Sequence, residues 1–328
     1  MKFASLKSNQ NPDGELVVVS RDLSRACRVA NIAASLREAV EHWETCSAKL
    51  QTVYDGLNAG TVESFNLDPT QCHSPLPRAF GFLDGSAYIQ HIKLVRKARN
   101  AELPETLLTV PLMYQALSDG FLAPHEDIPM VHFDHGVDFE GEVGVITGPV
   151  PMGTKAKDAA PYVRLLVLIN DVSLRGLIPG ELAQGFGFMQ SKPASSFAPI
   201  AITPDELGDA WREGRVHLPL NVTFNGHFFG NADAGHMHFS FYELIQHAAR
   251  TRNLAAGHII GSGTVSNEDE SRGCSCLAEI RMLEKINSGT IKTPFMKPGD
   301  RVRIEMLKDQ QSLFGAIDQK VVQAPVSE

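Results

Sequence analysis

Two glutamates stand two residues apart in an otherwise apolar, β-prone stretch of the sequence, residues 138–146. In a strand, residues i and i+2 point to the same face, so Glu140 and Glu142 would present their oxygens side by side. Carboxylates this close repel each other unless one stays protonated or a cation lies between them. A divalent metal with oxygen ligands is the simplest such cation, and a solvent-exposed pair on a half-buried strand is the alternative.

A further carboxylate, Asp171, follows an almost continuously apolar run over 163–169. Hard divalent cations take about six oxygen ligands, so the two glutamates need partners. A carboxylate at the end of a buried strand is costly to desolvate, which favours pairing or metal binding. An N-cap for a following helix explains this aspartate equally well.

Asp84 lies in a turn seven residues before His91. The aspartate could be another oxygen ligand. The histidine is either a general base or a surface residue that opens a basic helix over 93–99.

The elements that must position these residues fall into two parts. Residues 1–76 form a small opening unit, with a β-hairpin over 2–19 and a helix over 33–57, and proline-rich residues 68–78 are a linker. From residue 77 to residue 328 many short β-type segments alternate with few helices. The sequence therefore predicts a strand-rich α+β domain that carries the candidate site.

Three local signals support this second part of the chain. Asn225-Gly226 predicts a two-residue β-hairpin turn, and Ser240 predicts the N-cap of a helix that ends before Gly257. Residues 297–300 predict a turn into an alternating strand.

Composition excludes some classes of protein. The 328 residues carry 30 basic and 38 acidic side chains, a net charge of −8, which disfavours nucleic acid as a partner. No apolar run is long enough for a membrane span, and the N-terminus lacks a secretory signal, so we expect a cytoplasmic protein. Cys274-Ser275-Cys276 is interpreted as two small strand residues on one face and not as a zinc site, because no second ligand pair accompanies it.

Five motifs in a fixed order resemble the fumarylacetoacetate hydrolase family. They are Asp84 with His91, Phe139-Glu140-Gly141-Glu142, the segment from Leu168 to Arg175, Ser191-Lys192 with Phe197-Ala198-Pro199, and the segment from Gly261 to Ser266. The resemblance extends over about residues 77–310. It implies a mixed β-sandwich or roll as the catalytic domain, over 77–328, after a small α+β N-terminal domain over 1–76.

The resemblance also implies a metal site. One divalent ion, Mg²⁺ or Ca²⁺ with Mn²⁺ as a further candidate, would be bound by Asp84, Glu140, Glu142 and Asp171. Four carboxylates around one such ion leave a local charge near −2, so a nearby cation would help to hold the site.

The remaining roles are implied by the same resemblance. His91 matches the general base, Lys192 the lysine that steadies the leaving carbanion, and Thr264 a hydroxyl that contacts substrate. Arg175 is assigned to charge balance and substrate binding. Glu279, expected in a late strand, matches a glutamate behind the histidine, one residue out of register with the mammalian-type pattern. The chain departs from the family at Ser195, where an acidic residue or glycine is frequent, and at Ser86 and Ile178, near the places of a substrate-binding tyrosine and glutamine.

The implied activity is hydrolysis of a C–C bond in a β-diketo acid, such as fumarylacetoacetate or an acylpyruvate, by a homodimer. The same scaffold hosts oxaloacetate-type decarboxylases and isomerases of 2-keto acids, so this activity is the first alternative. A non-catalytic metal-binding protein is the second. His91 argues against the latter, because a structural metal needs no base.

Overall fold

Two packed β-sheets and a helical layer build the protein, and this computed structural model describes residues 1–98 and 102–325. The strands are mostly short. They are β1 (Lys2–Leu6), β2 (Glu15–Val19), β3 (Arg25–Arg28), β4 (Phe65–Asn66), β5 (Gly81–Gly85), β6 (Met113–Ala116), β7 (Ile128–Met130), β8 (Val137–Asp138), β9 (Gly141–Thr147), β10 (Val163–Asn170), β11 (Ser173–Leu174), β12 (Ser196–Phe197), β13 (Ala201–Ile202), β14 (Trp211–Arg212), β15 (Arg215–Val216), β16 (Leu220–Phe224), β17 (His227–Gly230), β18 (His258–Gly261), β19 (Arg301–Lys308) and β20 (Gln311–Gln323).

Helices in the described residues lie on the sheets and at their ends. They are α1 (Leu36–Glu41), α2 (Trp43–Ala59), α3 (Ile89–Ala98), α4 (Ile178–Gln184), α5 (Phe241–Ala248) and α6 (Leu277–Ser288). Short 3-10 segments connect several strands. Arg99, the last residue of the predicted basic helix, lies outside the described residues. None of the described helices is long and apolar enough to cross a membrane.

The central sheet sets the positions of the candidate site. Its order is β4-β3-β2-β1-β13-β10-β9-β18-β5-β6, with β12 beside β10. Antiparallel pairing of β9 with β10 puts Glu142 opposite Ile169, one pair before the end of β10, where Asp171 follows. Parallel pairing of β18 with β5 puts Gly261 beside Asp84. The side chains of Asp84, Glu142 and Asp171 therefore lie at the same end of β5, β9 and β10.

The core has two parts, one on each face of the central sheet. On one face Val143 and Leu166 pack with Val222 and Ile304 from the second sheet, which has the order β17-β16-β19-β20-β7. On the other face the helices α1 and α2 bury residues such as Leu50 against β9 and β10. Each fully buried aliphatic side chain stabilises the fold by roughly 1.5–3 kcal/mol, so the site rests on a rigid base.

Most predicted elements are present. The N-terminal hairpin, the buried strand β10 and the Asn225-Gly226 turn are confirmed, and both turn residues have positive φ (50° and 78°). Ser240 and Glu243 form a capping box at α5. The predicted helix over 33–57 is wrong in one respect: it is divided at His42, which leaves the helical conformation between α1 and α2.

The N-terminal residues continue the central sheet, because β1 pairs antiparallel with β13. The domain division at residues 76 and 77 stays a prediction. The interpretation of Cys274 and Cys276 as strand residues is wrong, because Cys276 is the N-cap of α6 and makes only an isolated bridge to Glu140.

Candidate metal centre and active site

Three carboxylates from the edge of the central sheet converge. Oxygens of Asp84, Glu142 and Asp171 lie within 4.8 Å of one another, and all three residues are buried. Neither carboxylate oxygen of Glu142 has a hydrogen-bond partner in the described part of the chain. A buried, unpaired carboxylate is costly, so this group fits a hard divalent cation, which takes such oxygens as ligands.

Burial and the neighbouring carboxylates raise the pKa values of Asp84 and Glu142. Burial, together with the nearby charge of Asp171, raises the pKa of Asp84 to about 8. Burial also raises the pKa of Glu142 well above its usual range, and the charges of Asp84 and Asp171 add to the effect. A divalent cation would reverse both shifts, because it favours the ionised forms.

Three donors fix the orientation of Asp171. Tyr114 donates its hydroxyl to Oδ2 over 2.7 Å, and Ser195 donates to Oδ1 over 2.7 Å. Lys192 donates to Oδ2 as well. Tyr114 was not predicted as a site residue. Ser195 was predicted only as a departure from the family, and its position three residues after Lys192 was the available signal.

Glu140 lies beside the group of three and is paired with cations. Its Oε2 accepts a hydrogen bond from Lys192 Nζ over 2.7 Å, and its Oε1 accepts one from Arg175. Burial alone would raise the pKa of Glu140, but Arg175 and Lys192 lower it below its usual range. The structure thus brings both predicted cations to the site, and the role of Glu140 as a fourth metal ligand stays a prediction.

His91, on α3, is paired with Glu279, on α6. His91 Nδ1 and Glu279 Oε1 are 2.7 Å apart, and both side chains are largely buried. The prediction that Glu279 lies in a strand is wrong, because the residue is in the first turn of α6. The one-residue shift in strand register therefore does not determine which way the side chain of Glu279 points. The contact leaves Nε2 as the ring nitrogen free of Glu279.

Asp138 holds the start of α6 in place and was also missed. Its Oδ1 and Oδ2 accept the backbone N–H groups of Leu277 and Ala278 over 2.7 and 2.9 Å, and Oδ2 also accepts from Arg175 Nε over 2.9 Å. These contacts satisfy donors that an α-helix leaves unpaired at its N-terminus.

Replacing Asp138 with alanine is expected to lower the free energy of unfolding by about 3–5 kcal/mol, the range for breaking a buried charge pair. The change removes one partner of Arg175 and both acceptors at the start of α6. A shift of the denaturation midpoint in guanidinium measures the effect. Asp134→Ala removes an exposed carboxylate from a nearby segment and should leave the midpoint almost unchanged. Equal midpoints for the two variants would contradict the role of Asp138.

A cavity of about 140 Å³ joins these groups. Its polar wall includes Asp84, Glu140, Glu142, His91, Lys192 and Thr264, and Val95, Ile178 and Phe188 line an apolar side. Gly263 donates its N–H to Asp84 Oδ1 over 3.2 Å. A side chain at Gly263 would have its Cβ 2.4 Å from the Gly85 carbonyl oxygen, and φ is +77°, so only glycine fits this close approach.

Two family sequence models match the chain. One, described as fumarylacetoacetate (FAA) hydrolase C-terminal, matches residues 82–322, and the other, described as fumarylacetoacetase N-terminal domain 2, matches residues 1–78.

Individual relatives have low identity. Oxaloacetate tautomerase YisK of Bacillus subtilis is 23% identical over 244 residues, which cover 73% of this chain and 71% of the relative. The 2,4-didehydro-3-deoxy-L-rhamnonate hydrolase of Sphingomonas sp. (strain SKA58) is 25% identical over 167 residues, 50% of this chain and 56% of the relative. Among solved structures, maleylpyruvate hydrolase from Sphingobium sp. SYK-6 in complex with manganese(II) and pyruvate has a TM-score of 0.65 at 15% identity, over 99% of this chain and 100% of that chain. This structural likeness shows the fold.

Proposed function

This chain belongs to the fumarylacetoacetate hydrolase family, and from that premise we propose that it is a divalent-metal-dependent hydrolase that cleaves a C–C bond of a β-diketo acid of the acylpyruvate class. One observation carries the proposal. His91, held by Glu279, lines one cavity together with Lys192 and with Asp84 and Glu142, two of the three converging carboxylates. A base, a cation site and a fixed ammonium group are the parts that such a cleavage needs.

The chain's own residues divide the work. Asp84, Glu142 and Asp171, with Glu140 as the fourth proposed ligand, would hold Mg²⁺, Ca²⁺ or Mn²⁺, which would supply Lewis-acid polarisation of a substrate carbonyl.

His91 Nε2 accepts a proton from the water that attacks the acyl carbonyl, while Glu279 holds Nδ1–H and stabilises the imidazolium. The tetrahedral adduct then collapses: the C–C bond breaks and its electron pair stays on the pyruvate half as an enolate. The imidazolium of His91 returns its proton to the enolate carbon, which leaves pyruvate and the carboxylic acid.

Lys192, Arg175 and Thr264 are the residues assigned to binding the substrate and its products. Lys192 and Arg175 line the cavity, and we assign to them the stabilisation of the enolate. Burial alone would lower the pKa of Lys192, but Asp171 and Glu140 raise it above its usual range, so the side chain stays charged. Thr264 lines the cavity and is the proposed hydroxyl donor to a substrate oxygen.

A second candidate is tautomerisation or decarboxylation of an oxaloacetate-type keto acid. The name of the Bacillus subtilis relative points to the same substrate class.

A substrate panel separates these activities. Acylpyruvates, fumarylacetoacetate and oxaloacetate are tested with Mg²⁺, Ca²⁺ or Mn²⁺ and after chelation. We expect metal-dependent loss of the ultraviolet absorbance of a diketo acid, and none with chelator. Catalysed enol–keto exchange or CO₂ release from oxaloacetate, with diketo acids unchanged, would establish the second candidate. Metal binding without any turnover would establish a non-catalytic metal-binding protein.

The assembly and location belong to the same proposal. We propose a cytoplasmic homodimer whose ligand is a small diketo acid and which binds neither nucleic acid nor membrane. The family resemblance supports the dimer, and the net charge of −8 supports the exclusion of nucleic acid.

A further inference from the structure

A second cluster of metal-ligating atoms lies on the other side of the proposed base. One ligand atom from each of His91, Cys276 and Glu279 lies within 4.8 Å of the others. Cys276 and Glu279 are buried, and His91 is 14% exposed at its side chain. Along the chain no ligand pair accompanies Cys274 and Cys276, so the sequence does not predict zinc there. The fold supplies that pair from α3 and from the first turn of α6.

Local geometry explains the convergence. Cys276 is the N-cap of α6 and Glu279 is the third residue of the helix, and side chains at these two positions meet across the first turn. Cys276 has extended dihedrals (φ −154°, ψ 160°), and its backbone is bridged to Glu140 of the neighbouring segment. His91 reaches Glu279 from α3. All three side chains are thus fixed by regular elements or by pairing.

Nitrogen, sulfur and oxygen together are a donor set that Zn²⁺ takes in tetrahedral sites, with water as a fourth ligand. Mg²⁺ and Ca²⁺ prefer oxygen alone and select the carboxylate group of Asp84 instead. We infer that His91, Cys276 and Glu279 form a separate site for a thiophilic divalent ion of the zinc class, and that its occupation inhibits the enzyme.

Charge and proton balance agree with this site. Zn²⁺, one thiolate, one carboxylate and a neutral imidazole sum to zero, which suits a buried position. Binding at Nδ1 releases the thiol proton of Cys276 to solvent and leaves the imidazole proton on Nε2. Nε2 of His91 then cannot accept a proton from water. Inhibition rests on the proposed function of His91, whereas metal binding does not.

Two features oppose a cation here: the dipole at the N-terminus of α6, and the guanidinium of Arg175, whose charge acts on Cys276. Asp138 offsets the dipole, since both of its oxygens accept N–H groups of the first turn. A coordinated thiol loses its proton outright, so the metal itself overcomes the burial of the thiol.

Cobalt and zinc test the inference in the whole protein. The enzyme is first saturated with Mg²⁺ to fill the carboxylate group, and Co²⁺ is then titrated. A thiolate-to-cobalt charge-transfer band and tetrahedral visible bands are expected at one equivalent. X-ray absorption of the Zn²⁺ form should show one Zn–S distance of about 2.3 Å. Zn²⁺ should inhibit turnover at the same stoichiometry.

Two cysteine variants provide the matched comparison. Cys276→Ser should lose the charge-transfer band and weaken zinc binding by about 100-fold or more, beyond the usual effect of losing an outer contact. Cys72→Ser removes a buried thiol that lies outside the cluster, in the N-terminal part of the chain, and should keep both.

If a variant fails to fold, the spectrum of the wild-type protein is sufficient to test for sulfur ligation. Absence of sulfur ligation in the wild type, or its persistence in Cys276→Ser, would overturn the site. Sulfur ligation without inhibition would leave the site in place and count against His91 as the base.

Discussion

Replacing Glu142 with glutamine is expected to abolish tight divalent-metal binding and, with it, turnover. Glu142 is fully buried, its two oxygens have no hydrogen-bond partner within the described residues, and it lies between Asp84 and Asp171. Glutamine keeps the shape but removes the charge and one of the ligand oxygens. The metal dissociation constant should rise by about 100-fold or more, because loss of a direct ligand exceeds the 10- to 100-fold cost of losing an outer contact. Calorimetric titration with Mg²⁺ and Mn²⁺ measures it.

Without metal, Glu142→Gln is expected to stabilise the fold. Burial and the charges of Asp84 and Asp171 raise the pKa of Glu142 in the folded state above its pKa in the unfolded chain. As the pH rises above the pKa of the unfolded chain, the unfolded chain loses this proton more readily than the folded chain, so the free energy of unfolding falls. At neutral pH the chelated variant should therefore melt at a higher temperature than the chelated wild type. Added metal should raise the melting temperature of the wild type only.

Glu140→Gln, two residues along the same stretch, tests the fourth proposed ligand. If Glu140 mainly pairs with Lys192 and Arg175, this variant should lose stability in the metal-free state, because two buried cations lose a charged partner. Wild-type metal affinity in Glu142→Gln would remove the basis of the proposed centre. A large loss of affinity in Glu140→Gln would establish Glu140 as the fourth ligand.

Strand periodicity in the sequence singled out Glu142, whereas the grouping of Glu142 with Asp84 and Asp171 was implied by the family resemblance. The alternation in β9 and the apolar run of β10 place Glu142 and Asp171 at neighbouring strand ends, and antiparallel register then brings them together. Such patterns are local, and the order of the motifs along the chain supported them.

Contacts between distant segments could not be predicted in this way. Tyr114 and Asp171 are 57 residues apart, and Leu277 and Asp138 are 139 residues apart. The family resemblance identified Glu279 as the partner of His91. The short alternating run before this glutamate, however, predicts a strand and not a helix. Asp138, from another segment, caps the helix that in fact begins there. The thiol of Cys276 joins His91 only through that helix.

His91→Ala is expected to lower kcat by about 10²–10⁴-fold, the usual contribution of a positioned general base. KM should change little and divalent-metal binding should persist, because the carboxylate oxygens come from other residues. Added imidazole should restore part of the activity, since it can enter the space left by the ring and accept the proton. His236→Ala, which removes an exposed histidine, is the control and should keep wild-type kcat.

Glu279→Gln separates the base from the residue that positions it. Glutamine can still contact Nδ1, but it cannot stabilise the imidazolium by charge, so kcat should fall by less than in His91→Ala. Imidazole should not rescue this variant, because its histidine still fills the site. Full turnover in His91→Ala would contradict the proposed base, and rescue of Glu279→Gln by imidazole would show that the glutamate itself, and not His91, handles the proton.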